Sequence, residues 1–527
     1  MFFGRKKDKK SNTTEYENTD TKDAGQIKLP INLQDKLDIL KPYKDRNFDM
    51  VVRPLEIKDK QRSTQAAVVY IDNITDKNVL HQDVLKPLSM LAAEDTTGYK
   101  NLIEYVYKNT LTAGDIVCAD GIPELVHAVF DGFTVLMIDG YAEILIIKIN
   151  NGHSRAIEEP LLDRSISGPR EGFVESLAVN ISLIRHKLRD PNLAVEKKVL
   201  GRRTRSNIAV LYIKDIASKD IVSEVFKRLD EIDVDGILSV GQLVQYFDDN
   251  PYSFFQLNRQ TERVDIVVAN LLEGRVAVMS DQSPLVAMYP TLFIETLQAA
   301  EDYYQKAQYG TFMRLLRILA FIISVSLPAF YISLISFRQE LIPFDLIIPL
   351  IESRKDVPFP AVVEVLLLEF MVQIIIEAGL RMPGNLSQTV GIVAGIILGQ
   401  AMIAAKLASP AAIILIAITT ISTFVIPNIC LSMATRLIRI FFLITSSVFG
   451  LYGFSFGWFL ILTHLTSQES MGVPYFSPFA PTRYADLKDS FYRSNIWNFK
   501  NRPVSIPVQD RKRQGNNRKR GGTDKKR

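Results

Sequence analysis

Ala67-Val68-Val69-Tyr70-Ile71-Asp72-Asn73-Ile74 returns 142 residues later as Ala209-Val210-Leu211-Tyr212-Ile213-Lys214-Asp215-Ile216. Both copies are apolar, β-branched runs closed by polar residues, the pattern of a buried strand running into a turn. Two more blocks fall in nearly the same register. Leu102-Ile103-Glu104-Tyr105 answers Leu243-Val244-Gln245-Tyr246, while Asp131-Gly132, Met137 and Asp139 answer Glu273-Gly274, Met279 and Asp281. Three ordered blocks imply a duplication and hence two similar lobes, 46–160 and 190–310, joined by 161–189. Val135–Ile138 and Ile144–Ile147 read as further strands, and Val222–Leu229 and Val264–Leu272 as helices, so each lobe is α/β. Gly132 and Gly274 each precede a strand, where a turn calls for positive φ.

Outward from the lobes, residues 1–45 are polar and read as a flexible arm. Met1–Lys10 carries five Lys/Arg with no apolar core after them, which excludes a secretory signal. The whole chain is 47% hydrophobic and 23% charged, which excludes general disorder. A net charge of +4 over 527 residues is small for a nucleic-acid binder, and no nucleic-acid partner is expected. Two cysteines exclude a disulfide scaffold; Cys118 reads as a small buried residue.

Beyond residue 310 the composition changes. Ile318–Phe337 has no charge and is long enough to cross a bilayer as a helix. Ala361–Leu380, Leu386–Ala405, Ala411–Cys430 and Ile440–Thr463 follow, so 311–466 reads as an α-helical polytopic membrane domain of about four to six crossings. Leu341–Ile351, interrupted by Pro343, Asp345 and Pro349, reads as re-entrant or interfacial. Arg314 and Arg317 precede the first run and place the N-terminal half in the cytoplasm. Residues 467–527 read as a solvated basic tail; Arg493–Arg527 holds twelve Lys/Arg against two Asp. A cytoplasmic tail requires an even number of crossings, whereas five strong runs are present.

Enzyme signatures are missing. There is no GxxxxGK[ST], GxSxG or HExxH. His81, His127, His153, His186 and His464 have no second ligand at metal spacing, so neither metal nor cofactor is expected. Glu231-x-Asp233-x-Asp235-Gly236 begins like a calcium loop, yet Gln242 stands where a bidentate Glu is needed, and an acidic turn is the better reading.

The functional signal lies in Ala361–Leu380, an apolar run holding Glu364, Glu369 and Glu377. A carboxylate facing lipid costs about 2.5–3.5 kcal/mol on insertion scales. Glu369, Gln373, Glu377 and Arg381 recur every four residues, which draws one polar stripe along a helix, with Glu364 off that line. Repeated around a symmetric oligomer, such a stripe forms acidic rings that attract cations, so Glu364, Glu369, Gln373 and Glu377 are the candidate ion path. Two structural readings stand beside it: an interfacial helix with its stripe in water, or carboxylates paired with Arg314, Arg317 or Arg381. Gly391, Gly395 and Gly399 form a double GxxxG that suits close helix packing, within the chain or between copies. Val357-Pro358-Phe359-Pro360 fixes an extended lead-in to the acidic helix.

These residues resemble the A subunits of the spore germinant receptors, from about residue 46 to 480. The telling stretches are Gly168-Pro169-Arg170-Glu171-Gly172-Phe173-Val174-Glu175, Asn180–Arg185, Thr261-Glu262-Arg263, Glu273-Gly274-Arg275-Val276-Ala277 and Glu301-Asp302-Tyr303-Tyr304. Val357–Pro360, Glu377-Ala378-Gly379-Leu380-Arg381, Gly391–Gly399 and Pro474-Tyr475-Phe476-Ser477-Pro478 complete them. The resemblance implies a multi-pass protein of the spore inner membrane. Its partners would be a transporter-like, nutrient-binding B subunit and a lipoprotein C subunit. It implies a homo-oligomer, with a pentamer as the expected size, that conducts monovalent cations when nutrient binds and is not an enzyme. Gly168, Pro169, Arg170 and Glu175 are the candidate interlobe or assembly residues. Sporulation stage V membrane proteins share the architecture. A membrane-anchored scaffold and a secondary transporter of the nutrient remain the alternatives, although a transporter usually repeats its membrane half and the repeat here is in the soluble half.

Overall fold

The computed structural model describes residues 28–58, 63–91, 102–149, 160, 163, 167–382 and 384–515. The chain forms two compact units, Met1–His153 and Ser154–Arg527.

The first unit is built on five strands: β1 (Met50–Lys58), β2 (Ser63–Ile71), β3 (Ile116–Ala119), β4 (Thr134–Ile138) and β5 (Ile144–Ile147). They pair antiparallel in the order β1-β2-β4-β5-β3. β4 and β5 are buried along their whole length, which explains why they read as continuous apolar runs. Alternate residues enter different cores: Ala67, Val69 and Val135 pack with Leu40, Leu125 and Val129, whereas Ala66, Val68 and Leu136 pack with Val84, Leu88 and Val106.

Two expectations are corrected here. Leu33–Lys44, in the stretch read as a flexible arm, is a helix capped by Asn32 with Leu40 in the core; residues 1–27 lie outside the described residues. Cys118 is exposed rather than buried, because β3 is an edge strand.

In the second unit, β6 (Leu193–Leu200), β7 (Ser206–Ile213), β8 (Arg259–Thr261), β9 (Val276–Ser280) and β10 (Val286–Tyr289) pair in the same order, β6-β7-β9-β10-β8. The duplication is therefore one of topology. The helix Val264–Leu272 lies 142 residues after its counterpart Ile122–Phe130. Ala67 pairs with Met137, and Ala209 pairs with Met279. Only the first hairpin departs: Met50 faces Ile71 where Leu193 faces Ile213, because the 201–205 turn is one residue longer than 59–62.

Gly132 and Gly274 adopt φ of +87° and +90°. A Cβ on Gly132 would lie 2.6 Å from Ile74; one on Gly274 would lie 2.5 Å from Val508 and 3.3 Å from Ile216, the repeat counterpart of Ile74.

The helical region follows. Ala307–Phe337 and Ile429–Ser467 are, among the described residues, the two helices long and apolar enough to cross a membrane. Between them lie Phe344–Arg354, Ala361–Arg381, Gly384–Ala404 and Pro410–Val425. Ile429–Ser467 is interrupted at Gly450, whose φ of 59° and ψ of −135° are not helical. The Phe442 and Trp458 rings approach to 5.4 Å. Sixteen residues of straight helix would separate them by about 24 Å. The chain therefore doubles back at Gly450, and the run Ile440–Thr463, read as one span, belongs to two antiparallel limbs.

Residues 468–515 are not a solvated tail. They pack onto the second lobe and bury Tyr475, Arg493, Arg502 and Ile506. Tyr475 O accepts from Phe293 N at 2.8 Å, and Gln509 N donates to Ile216 O at 2.9 Å. Residues 516–527 lie outside the described residues.

Candidate functional site

The acidic helix Ala361–Arg381 starts behind Pro360, whose extended backbone ends the lead-in expected from Val357–Pro360. Its carboxylates all find partners in the same chain. Glu364 is 0% exposed. Its Oε1 accepts from Ser409 N and Ser409 Oγ, both at 2.6 Å, and Arg354 Nε lies 3.3 Å from Oε2. Ser409 caps the helix Pro410–Val425, so the charge rests at a helix N-terminus with its lone pairs satisfied. Glu364, expected among the ion-path residues, is a sealed structural anchor, which fits its position off the stripe.

Glu369 receives Arg439 Nη1 at 2.8 and 2.9 Å, one distance to each oxygen. Arg439 is 3% exposed, and its Nη2 donates to Thr423 Oγ1 at 2.9 Å. Arg436 Nη1 reaches Gln373 Oε1 at 3.4 Å. Glu377 and Arg381 form an exposed pair one turn apart, at 2.7 Å. The stripe thus runs from an enclosed ion pair at Glu369 to open Gln373 and Glu377, beside uncovered Phe370, Ile374 and Leu380. Sequence reasoning found Arg381 as a partner but missed Arg354, Arg436 and Arg439. Arg436 and Arg439, three apart in an apolar helix, were the available signal.

Arg314 and Arg317 do not serve the stripe. Arg317 Nη1 donates to Asp302 at 2.7 and 2.9 Å. Arg314, 1% exposed, donates to Asp302 at 3.3 Å and to Asp489 Oδ1 at 2.7 Å and stacks over Tyr303 at 5.2 Å. Tyr303 OH donates to Asp489 at 2.8 Å. Burial raises the Asp489 carboxyl pKa against the pull of Arg314. These arginines are neutralised by carboxylates on both sides of the helical region, so they no longer act as free positive charge flanking a span. At Gly310, an added Cβ would lie 2.9 Å from Asp302 O, which shows how closely the start of the long helix approaches this cluster.

Gly391, Gly395 and Gly399 meet no described atom within 4 Å of an added Cβ. Among the described residues, no close packing is made at that ridge. Gly168 has φ +127°, and its Cβ would lie 2.6 Å from the Tyr304 ring. Gly168, Pro169 and Arg170 are exposed, as is Glu175, whose carbonyl accepts from Gln282 N at 2.8 Å. Gly172 bridges to Arg263, which binds Asp265 at 2.7 Å and Glu301 at 2.9 Å.

Residues 38–505 match the family model described as Bacillus/Clostridium GerA spore germination protein. The chain belongs to the GerA family of spore germination proteins. It is 38% identical to spore germination protein KA of Bacillus subtilis (strain 168) over 467 residues, 89% of this chain and 85% of that one. It is 34% identical to spore germination protein GerLA of Bacillus cereus, over 85% of this chain and 90% of the relative. A crystal structure of the N-terminal domain of the A subunit of the Bacillus megaterium spore germinant receptor GerK3 is 27% identical, covering 51% of this chain and 98% of that one, at a TM-score of 0.40. The GerA match runs past the last helix to Ser505, so it includes most of the segment packed on the second lobe. The stretches that carried the resemblance (Thr261–Arg263, Glu273–Ala277, Glu301–Tyr304 and Pro474–Pro478) meet around this second lobe.

Proposed function

We propose that this chain is the A subunit of a nutrient-sensing germinant receptor. It sits in the spore inner membrane beside a transporter-like B subunit and a lipoprotein C subunit. It assembles with copies of itself, a pentamer being the expected size, and passes monovalent cations when nutrient binds. GerA membership over residues 38–505 supports the receptor reading. The observation that carries the conduction step is the polar line Glu369–Gln373–Glu377 on an otherwise apolar helix, open along Gln373 and Glu377. The glycine ridge Gly391–Gly395–Gly399, uncontacted by any described residue, supplies a face for a second copy. Asp302 and Asp489, before and after the helical region, share Arg314, which supports an even number of crossings. Exposed Gly168, Pro169, Arg170 and Glu175 are the proposed assembly segment.

One observation favours a second reading, a membrane-anchored scaffold: Glu369 is already neutralised by Arg439. Nutrient-triggered potassium release separates the two. Spores would carry the chain with its B and C partners at matched levels. Glu377→Gln, which leaves the Arg439 pair intact, and Glu369→Gln are expected to reduce release or alter its ion preference. Unchanged release in both, with assembly intact, makes the stripe structural and the chain a scaffold.

A further inference from the structure

A cavity of about 260 Å³ opens between the second lobe and the C-terminal segment, far along the chain from the acidic helix. β8 and the helix Val264–Leu272 form one wall, residues 295–304 a second, and Phe499 and Arg513 close it. Its three arginines and three carboxylates balance in number but are unevenly paired. Of the carboxylates that line it, Asp265 is held by Arg263 at 2.7 Å, outside the cavity lining. Glu295 is held by Arg275, and Glu273 by Arg513 at 3.2 Å. Arg259 is left over: among the described residues it has neither an ion pair nor a side-chain hydrogen bond. Arg275, 2% exposed, adds a buried Nε–H with no acceptor.

Arg259 is only partly buried, and its planar donor fork is matched by a carboxylate or phosphate. We propose that this cavity binds a small anion through a carboxylate or phosphate group held by Arg259, with the Arg275 Nε–H as second donor. Burial also lowers the Arg259 pKa, with Glu295 the main compensating charge. The volume falls just below the roughly 300–1,000 Å³ of ordinary small-molecule pockets, which suits a short carboxylic acid or phosphate monoester rather than a nucleotide. The proposal stands independently of the ion-path reading.

The test uses the full chain in detergent at constant ionic strength. Succinate, inorganic phosphate and vesicles of phosphatidic acid in phosphatidylcholine are titrated, with glycerol as the neutral control. The readouts are the thermal unfolding midpoint and a direct binding isotherm. A saturable rise with at least one anion, weakened tenfold or more by Arg259→Gln, is expected. A response to the soluble anions places the source in a free metabolite, and a response to the vesicles alone places it in a lipid headgroup. No saturable response, or one unchanged by Arg259→Gln, overturns the site. Should Arg259→Gln fail to fold, Ala269→Leu, which fills the cavity from its helix, must abolish binding; retained binding overturns the proposal equally.

Discussion

The two lobes share one strand order but keep their charges differently. The first carries apolar side chains at two places: partly buried Phe133 follows its turn glycine, and exposed Val117 lies on its edge strand. The second has Arg275 and Arg259 at those places, both 142 residues on. It buries Arg275 and Arg263, and Arg314 of the adjoining long helix is buried beside it. It also takes Val508 and Tyr475 from the far end of the chain. A duplicated backbone can thus carry apolar residues at these places in one copy and a polar junction in the other. The arginines mark the copy that is joined to the helical region.

The sharpest way to break this contrast is Arg314→Ala. Removing it leaves Asp302 and Asp489 short of a buried partner, with an expected loss of about 3–5 kcal/mol. Limited proteolysis of the full chain during heating should then open Ser154–Arg527 first while the 28–149 fragment persists; simultaneous loss of both would deny that the lobes are stabilised differently.

Next come the paired glycines. Gly132→Ala and Gly274→Ala each force a side chain into positive φ against a neighbour, at about 1–3 kcal/mol. Val508→Ala should partly rescue Gly274→Ala and leave Gly132→Ala unrelieved in the same unfolding assay.

A smaller effect concerns acid. Burial pushes the Asp248 carboxyl up to about 6, reinforced by Asp249. Its folded pKa exceeds its unfolded value near 3.9. The folded state therefore holds the proton more tightly, and this contribution is full below about pH 4 and lost as pH rises through about 6. Asp248→Asn should flatten that part of the stability profile in Ser154–Arg527 and leave the first unit unmoved.

Smallest is the acidic turn. Asp233 is tied to exposed Arg202, and among the described residues no group of three His, Cys, Asp or Glu could hold a metal. Millimolar calcium should leave the unfolding midpoint of both lobes unchanged.

Much of the lobes was legible because strands and turns are written locally. Ile144–Ile147 was an uninterrupted apolar run because both faces are covered, and Gly274 stood before a strand because its φ is positive. The acidic stripe was legible for the same reason, as a period of four on one helix. Its neutralisation was not. Glu369 meets Arg439 seventy residues on, and Arg314 meets Asp489 across 175, and no local periodicity reports such pairings. Composition misled in the tail for a related reason: Arg493 and Arg502 look solvated in sequence, yet Tyr303 O accepts from Arg493 and Leu272 O from Arg502. The run Ile440–Thr463 concealed its reversal because glycine at position 450 is apolar company and a hinge at once.

The clasp between Asp302 and Asp489 also sets an order of events at the ribosome. The first lobe has all of its strands once Ile147 has emerged. The second has its strands by Tyr289 but must wait for Asp489, 200 residues later, before Arg314 Nη1 and Tyr303's hydroxyl find their carboxylate. At bacterial speeds of about 5–20 residues per second, that is an interval of roughly ten to forty seconds. During it the apolar helices between Ala307 and Ser467 are made while this junction stands open, so they are complete before they are locked, and residues 468–515 do the fastening.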